Sequence, residues 1–269
     1  AHLDAADIDV IESVPGVYIF RDETRLPIYV GKSVTLKKRV LSHFQSTASK
    51  ELKISQQVHH VETIKTGSEF AALILESKLI KELQPIYNRL LRRASQYAMF
   101  VASYENDYAH LQITMGNIDD SIEISTVYGI YRTKMQAKQK ADEQTRIFQL
   151  CPKLMGLEKS NHACFWYSLG KCKGACIGEE PAVLYNRRFE LALQHSKVSS
   201  WQYDSAVQVP LSEQGDSVVI DNWIIRGFLD SEGVLTMSDE SPSFDVDEYK
   251  IIRRFLQQNH QHIMPYSEA

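Results

Sequence analysis

The sequence predicts an α+β fold: a small three-stranded antiparallel sheet with flanking helices, then a Cys-rich segment, then a strand-rich C-terminal domain. Three observations predict it. Val17-Tyr18-Ile19-Phe20 and Pro27-Ile28-Tyr29-Val30 are short β-branched and aromatic runs separated by a polar turn, the pattern of a hairpin. Helical spacing takes over at Leu36, Val40, His43 and Phe44, and returns over Glu69 to Leu83. All four cysteines, Cys151, Cys164, Cys172 and Cys176, fall within one segment of 26 residues.

The elements follow in order. After the hairpin and its helix, a second short helix is expected over about 50–58 and a third strand at Val61-Glu62-Thr63-Ile64-Lys65. The long helix from Glu69 stops ahead of Pro85, which disfavours helical backbone in the residue before it. Residues 97–150 read as three or four strands and a helix from about Lys134, residues 151–178 as irregular, and residues 180–198 as a helix. Strands over Val218 to Leu229 and Val234 to Met237, closed by a helix near 246–257, complete the chain. The expected domains are 1–95, 96–150, 151–198 and 199–269.

Charge is unevenly spread. The whole chain of 269 residues carries a net −4, which by itself argues against a nucleic-acid partner. Residues 32–93, however, hold twelve Lys/Arg against five Asp/Glu, a surplus of seven positive charges inside an acidic chain. Such a segment is either a footprint for phosphate or a solvated helix surface. No apolar run approaches the length of a membrane span, and the start has no charged-then-apolar signal, so a cytoplasmic location is expected.

Within the basic segment, Glu76 falls in the middle of the stripe formed by Ala72, Leu73, Leu79, Ile80 and Leu83. An ionised carboxylate there is costly unless it is paired or binds a metal. Arg39 and His43 lie one helical turn apart at the edge of the Leu36, Val40, Phe44 stripe. Gly16-Val17-Tyr18 and Tyr29-Val30-Gly31-Lys32 place two tyrosines beside two glycines on one hairpin. Taken singly, each feature has an ordinary packing explanation. Gly31-Lys32-Ser33 is not a phosphate loop of the Walker type, because the glycine required at position 26 is Leu26.

Together, Gly16-Val17-Tyr18, Tyr29-Val30-Gly31, Arg39, Glu76 and Asn88 resemble the GIY-YIG nuclease signature in order and spacing over about residues 13–93. The resemblance implies a metal-dependent endonuclease that hydrolyses a DNA phosphodiester. Glu76 would hold Mg²⁺ or Mn²⁺, Arg39 would grip a phosphate oxygen, and Tyr18, with Tyr29 as runner-up, would take the proton of the attacking water. Lys32 and His43, which stands where some relatives have Tyr, would support the tyrosines, and Asn88 would order the site. Gly31, Lys32, Lys37, Lys38, Lys81, Arg89, Arg92 and Arg93 would meet the DNA backbone. Products with 5′-phosphate and 3′-hydroxyl ends are implied.

The cysteines, spaced Cys-x12-Cys-x7-Cys-x3-Cys, lack the pattern of a zinc ribbon, and four clustered thiols suit either Zn²⁺ or an iron–sulfur cluster. Cys164 through Cys176 resembles the four-cysteine stretch of the UvrC family, which favours [4Fe–4S] over zinc. Gly129-Ile130-Tyr131-Arg132, Arg146 to Cys151 and Phe244 to Ile251 extend that resemblance toward the family's short Cho branch. The chain departs from full-length UvrC: it has no room for the acidic partner-binding helix pair, a second nuclease domain or a helix-hairpin-helix module. One cut, on the 3′ side of a lesion, is therefore implied. It would fall in bacterial nucleotide excision repair under the SOS response, on distorted or lesion-bearing duplex, with a UvrB-like recognition protein near the nucleoid. Two other readings stand beside it. One is a non-catalytic, metal-stapled DNA-binding or scaffold module. The other is the endonuclease half of a fusion with a 3′–5′ exonuclease, which the start at Ala1 rather than Met leaves open.

Overall fold

The computed structural model describes Leu3 and residues 8–91, 96–116, 124–238, 242–259 and 263–267, without the side chains of 89–91. It divides into two compact units, Ala1–Arg93 with Gln202–Ala269, and Ala94–Trp201. The expected boundary at 150 thus falls inside one unit, whereas those at 95 and 198 lie within a few residues of the unit boundaries at 93/94 and 201/202. Residues 96–150 and 151–198 share one core, and the C-terminal residues join the first unit.

The first unit is built on β1 (Gly16–Arg21), β2 (Pro27–Ser33) and β3 (His60–Lys65), antiparallel in the order β2-β1-β3. Alternation along β1 explains its continuous apolar sequence. Tyr18 and Phe20 face one layer with Leu36 and Val40 of α1 (Leu36–Gln45) and Ile54 of α2 (Ser49–Gln57). Val17 and Ile19 face the other, against Ala72 and Ile80 of α3 (Glu69–Leu83). The Ser68 side chain accepts from the Ala71 N–H at the start of α3, and Gln84 ends it in the left-handed region (φ 49°) ahead of Pro85.

Helix α3 is clad on a second face by the C-terminal residues. These form a five-stranded sheet in the order β10-β9-β8-β7-β11, from β7 (Val207–Pro210), β8 (Ser217–Asp221), β9 (Ile224–Leu229), β10 (Leu235–Met237) and β11 (Met264–Pro265). The expected strand region Val218 to Leu229 is two strands, because Asn222 and Trp223 both have positive φ and make a tight hairpin turn. The closing helix α7 (Val246–Gln258) stacks Phe255 on Phe70 of α3, with ring centroids 3.9 Å apart. Its N-terminal Asp245 and Glu248 receive Lys81 at 2.9 and 2.7 Å.

The second unit carries β4 (Tyr97–Glu105), β5 (Tyr108–Gly116) and β6 (Val127–Tyr131) in the order β5-β4-β6, with α4 (Lys134–Ile147), the one-turn α5 (Phe165–Ser168) and α6 (Ala182–Leu193). Its core runs from Phe100 and Leu111 through Leu150 and Met155 to Tyr185 and Phe189, and includes three of the cysteines. Arg188 ties α6 to the loop after α4, pairing with Glu180 and donating to the carbonyls of Phe148 and Gln149. Among the described residues, no helix is long and apolar enough to cross a membrane.

Candidate active site

The site is organised on β2, an edge strand of its sheet. An edge strand leaves every second backbone N–H and C=O without a strand partner. Here those groups are taken by side chains from elsewhere in the chain. Asn88, buried beyond α3, accepts from the Val30 N–H at 2.9 Å and donates to the Val30 C=O at 2.8 Å. Two residues on, the Lys32 N–H donates to Glu76 Oε1 at 3.0 Å. Asn88 is therefore a clamp on the strand that bears Tyr29. With both ends of its amide engaged by backbone, it is a positioning residue rather than one of the reacting groups.

Glu76 is half-buried, and burial raises its carboxyl above the ordinary range while the Lys32 N–H, Lys32 and Arg39 oppose. Burial also raises the phenol of Tyr29, with the Glu76 charge adding to it and Arg39 opposing. The Tyr18 and Tyr29 ring centres lie 6.1 Å apart, and Arg39 is near enough for its charge to bear on both phenols and on Glu76. Lys32 reaches the rim, where its ammonium pairs with Glu69.

The two glycines of the signature make the close packing possible. A Cβ on Gly16 would lie 2.4 Å from the Ile64 carbonyl oxygen. A Cβ on Gly31 would lie 2.3 Å from the Tyr18 hydroxyl and 2.9 Å from the Tyr29 ring. Gly31 is thus a buried cradle for the tyrosine pair, which corrects its expected place among the DNA contacts.

Tyr18 and Tyr29 differ in access. Tyr18 is 1% exposed and its phenol is pushed well up by burial, with Tyr29 adding and Arg39 opposing; Tyr29 is half-buried. Burial removes Tyr18 from direct contact with bulk water, whereas the sequence reading puts Tyr18 ahead of Tyr29 as the group that meets the water. The Tyr18 hydroxyl instead bonds His43 Nε2 at 2.7 Å, and His43 Nδ1 bonds Glu51 of α2. His43 is fully buried rather than at the stripe's edge. Sequence reading missed Glu51, since eight residues and a helix break separate it from His43. It also missed Lys50, whose ammonium lies 5.4 Å from the centre of the Tyr29 ring.

Lys81 does not have the expected role. Its ammonium is 14% exposed and held by Asp245 and Glu248, so it is spent within the fold rather than on phosphate. Lys37 pairs loosely with Asp9 at 3.3 Å, and Lys38 is exposed. Arg92 and Arg93 lie outside the described residues, as does the side chain of Arg89.

In the second unit the four cysteine sulfurs lie within 4.8 Å of one another. Hydrogen bonding from Cys151 draws the Cys172 thiol down to about 6 against burial, while burial pushes Cys164 up to about 12. One thiolate is therefore already favoured in the nest, and a cation would draw off the remaining protons. The buried Tyr185 hydroxyl, close enough for Cys151 and Cys172 to bear on it, has no hydrogen-bond partner among the described residues. The donor set and this orphaned hydroxyl both fit a bound metal centre.

Three family models match the chain in sequence. They are the UvrC-like GIY-YIG domain over residues 14–89, the UvrC/Cho excinuclease middle domain over 97–195, and the excinuclease Cho C-terminal domain over 208–269. Excinuclease cho of Salmonella typhi is 33% identical over 250 residues, covering 89% of this chain and 82% of that protein. Excinuclease cho of Escherichia coli K12 is 34% identical over 88% of this chain and 81% of that protein. UvrABC system protein C of Dictyoglomus thermophilum is 35% identical over 62% of this chain but only 28% of its own length. The crystal structure of the GIY-YIG N-terminal endonuclease domain of UvrC from Thermotoga maritima, bound to magnesium, is 37% identical. It covers 31% of this chain and 92% of that one, with a TM-score of 0.29. With a closed β2 edge, a shared tyrosine–arginine–carboxylate site and matches in all three segments, the chain belongs to the excinuclease Cho family of UvrC-like GIY-YIG endonucleases.

Proposed function

We propose that this chain makes a single incision, on the 3′ side of a lesion, in duplex DNA presented by a UvrB-like recognition protein in the bacterial cytoplasm. The reading is carried by Glu76, held by the Lys32 N–H next to the Gly31 cradle on which Tyr18 and Tyr29 pack, with Arg39 near enough for its charge to bear on all three. Glu76 is the residue that would hold Mg²⁺ or Mn²⁺. With Oε1 committed to the Lys32 N–H, it offers one carboxylate oxygen to an ion that keeps most of its water. Such an ion supplies charge neutralisation on the phosphate and on the leaving oxygen.

The chain's own residues do the rest. Arg39 places its fork of donors on a non-bridging phosphate oxygen. Tyr29, the more accessible phenol, orients the attacking water and receives its proton as its own phenolic proton passes to Tyr18 and that of Tyr18 to His43. As water attacks phosphorus the bond to O3′ breaks and O3′ takes a proton from solvent water, leaving 5′-phosphate and 3′-hydroxyl ends. Lys38, Arg89, Arg92 and Arg93 are proposed to position the backbone without reading sequence.

For the cysteine nest we propose [4Fe–4S], on the resemblance of Cys164 to Cys176 to the UvrC stretch. One observation favours zinc as a second reading: sulfurs within 4.8 Å are close to the spacing of about 3.8 Å that a tetrahedral ion with Zn–S of about 2.3 Å sets. Iron and zinc analysis with a visible spectrum decides between them; zinc alone, with no visible absorbance, removes the cluster.

The test of function is nicking of lesion-bearing duplex, with the recognition protein and Mg²⁺ or Mn²⁺ present, by wild type, Glu76→Ala and Arg39→Ala. Glu76→Ala is expected to bind DNA and not cut. Cutting by Glu76→Ala at the wild-type rate removes Glu76 from the metal, and absence of cutting by wild type under these conditions favours the scaffold reading.

A further inference from the structure

We infer that Glu51 is a positioning residue for the reaction: it fixes the His43 tautomer so that Nε2 accepts the Tyr18 hydroxyl proton and the relay Tyr18–His43–Glu51 carries a proton inward from the site. The inference rests on the nuclease reading above and adds a residue to it.

The geometry leaves one arrangement. His43 is fully buried, with Nε2 2.7 Å from the Tyr18 hydroxyl and Nδ1 bonded to Glu51. An ionised carboxylate only accepts, so the ring nitrogen facing it must carry hydrogen. In a neutral imidazole that leaves Nε2 as the acceptor, and the Tyr18 O–H must donate to it. Three features suit Glu51 to this place. It sits in the first turn of α2, where the helix dipole favours an anion. Its side chain keeps 23% exposure to water. Its neighbour Lys50 lies over the Tyr29 ring, so one helix end supports both tyrosines. A histidine introduced among tyrosines has two possible tautomers, and a carboxylate on Nδ1 selects the useful one.

The proton balance is simple. The attacking water gives its proton to the Tyr29 oxygen as the Tyr29 phenolic proton passes to the Tyr18 oxygen and the Tyr18 proton passes to His43 Nε2. The imidazolium so formed is stabilised by the Glu51 carboxylate. After the cut, the proton leaves by the same route. The charged and titratable groups around His43 are Tyr18, Tyr29, Arg39, Lys50 and Glu51.

The experiment combines ¹⁵N NMR of His43 in the full chain with single-turnover nicking by Glu51→Gln, Glu51→Ala, His43→Phe and the His43→Phe/Glu51→Ala double variant. Wild-type His43 is expected to carry its proton on Nδ1. Glu51→Gln, whose amide oxygen still accepts from Nδ1, keeps that tautomer and loses rate about tenfold for want of charge, and Glu51→Ala loses roughly a hundredfold. DNA affinity stays within about twofold, and the double variant cuts no more slowly than His43→Phe alone, because both changes break one relay. A wild-type proton on Nε2, additive losses in the double variant, or wild-type rates in both Glu51 variants would overturn the inference. Glu76→Ala run alongside separates the two failures. If wild type cuts and Glu76→Ala does not while both Glu51 variants cut normally, only the relay falls; if wild type itself does not cut, the nuclease reading falls, and the tautomer still reports on Glu51.

Discussion

Gly31→Ala adds one methyl group where the two phenols meet, and the structure gives both its sign and its scale. Replacing glycine by alanine in a strand ordinarily stabilises by about 0.5–1 kcal/mol, because the unfolded chain loses freedom. Here the new Cβ would lie 2.3 Å from the Tyr18 hydroxyl, 2.5 Å from its ring carbon and 2.9 Å from the Tyr29 ring. Ordinary non-bonded separations are about 3.5–4.0 Å, so the Tyr18 ring must retreat by more than about 1 Å. Tyr18 is fully buried, and its hydroxyl sits at 2.7 Å from His43 Nε2, a distance that such a retreat breaks. Overpacking costs about 1–3 kcal/mol and the lost buried hydrogen bond about 1 kcal/mol more. The net expectation is destabilisation by about 1–3 kcal/mol and, since a misplacement of about 1 Å costs on the order of a hundredfold in rate, a comparable loss of cutting. Urea unfolding followed by Tyr and Trp fluorescence measures the first, and single-turnover nicking the second. A Gly31→Ala protein that is more stable than wild type and cuts normally would show that the tyrosines do not rest on this glycine.

Asn88→Ala should cost about 2–4 kcal/mol in urea unfolding, because it strands a buried N–H and a buried C=O of Val30; a loss under about 0.5 kcal/mol would mean the edge finds other partners. Lys81→Met should leave the affinity for duplex DNA and its salt dependence unchanged while lowering stability, since the ammonium serves Asp245 and Glu248; a shallower salt slope would return Lys81 to the DNA surface. Glu76 has a raised folded-state value, so its proton stabilises the metal-free fold below the ordinary value of 4.5, and that contribution is lost as pH rises through the raised value. Metal-free Glu76→Gln should therefore melt higher than wild type at neutral pH, with the gap closing below pH 4.5; a gap that widens on acidification contradicts the assignment. Cys172→Ser should release the metal and lower the melting temperature of the full chain, read by metal analysis and calorimetry together.

The sheet and its helices were legible because their residues alternate or recur at a local period. The run Val17 to Phe20 must face two layers, and α3 carries an apolar stripe with one carboxylate in it. The chemical set of the site was legible through the spacing of its signature. What remained hidden depends on distance along the chain. Glu51 reaches His43 only because α1 and α2 fold back on each other, and nothing in the spacing between the two residues marks the bond. The order of the tyrosines depends on burial, which two equivalent-looking hairpin positions do not disclose. Lys81 looked like part of a basic patch because its two acidic partners lie more than 160 residues away. The roles of Gly31 and Asn88 emerged only from the side chains and backbone they touch.

Helix α3, which carries Glu76, is a party wall. One side lies against the nuclease sheet through Ala72 and Ile80, and the other receives Phe255 and the acidic start of α7 through Phe70 and Lys81. Residues of the C-terminal sheet and α7 thus complete the burial of a helix that precedes them by more than a hundred positions. A shortened protein ending before residue 202 would present Phe70 and Ile74 to solvent, so the first unit of this chain is a discontinuous object.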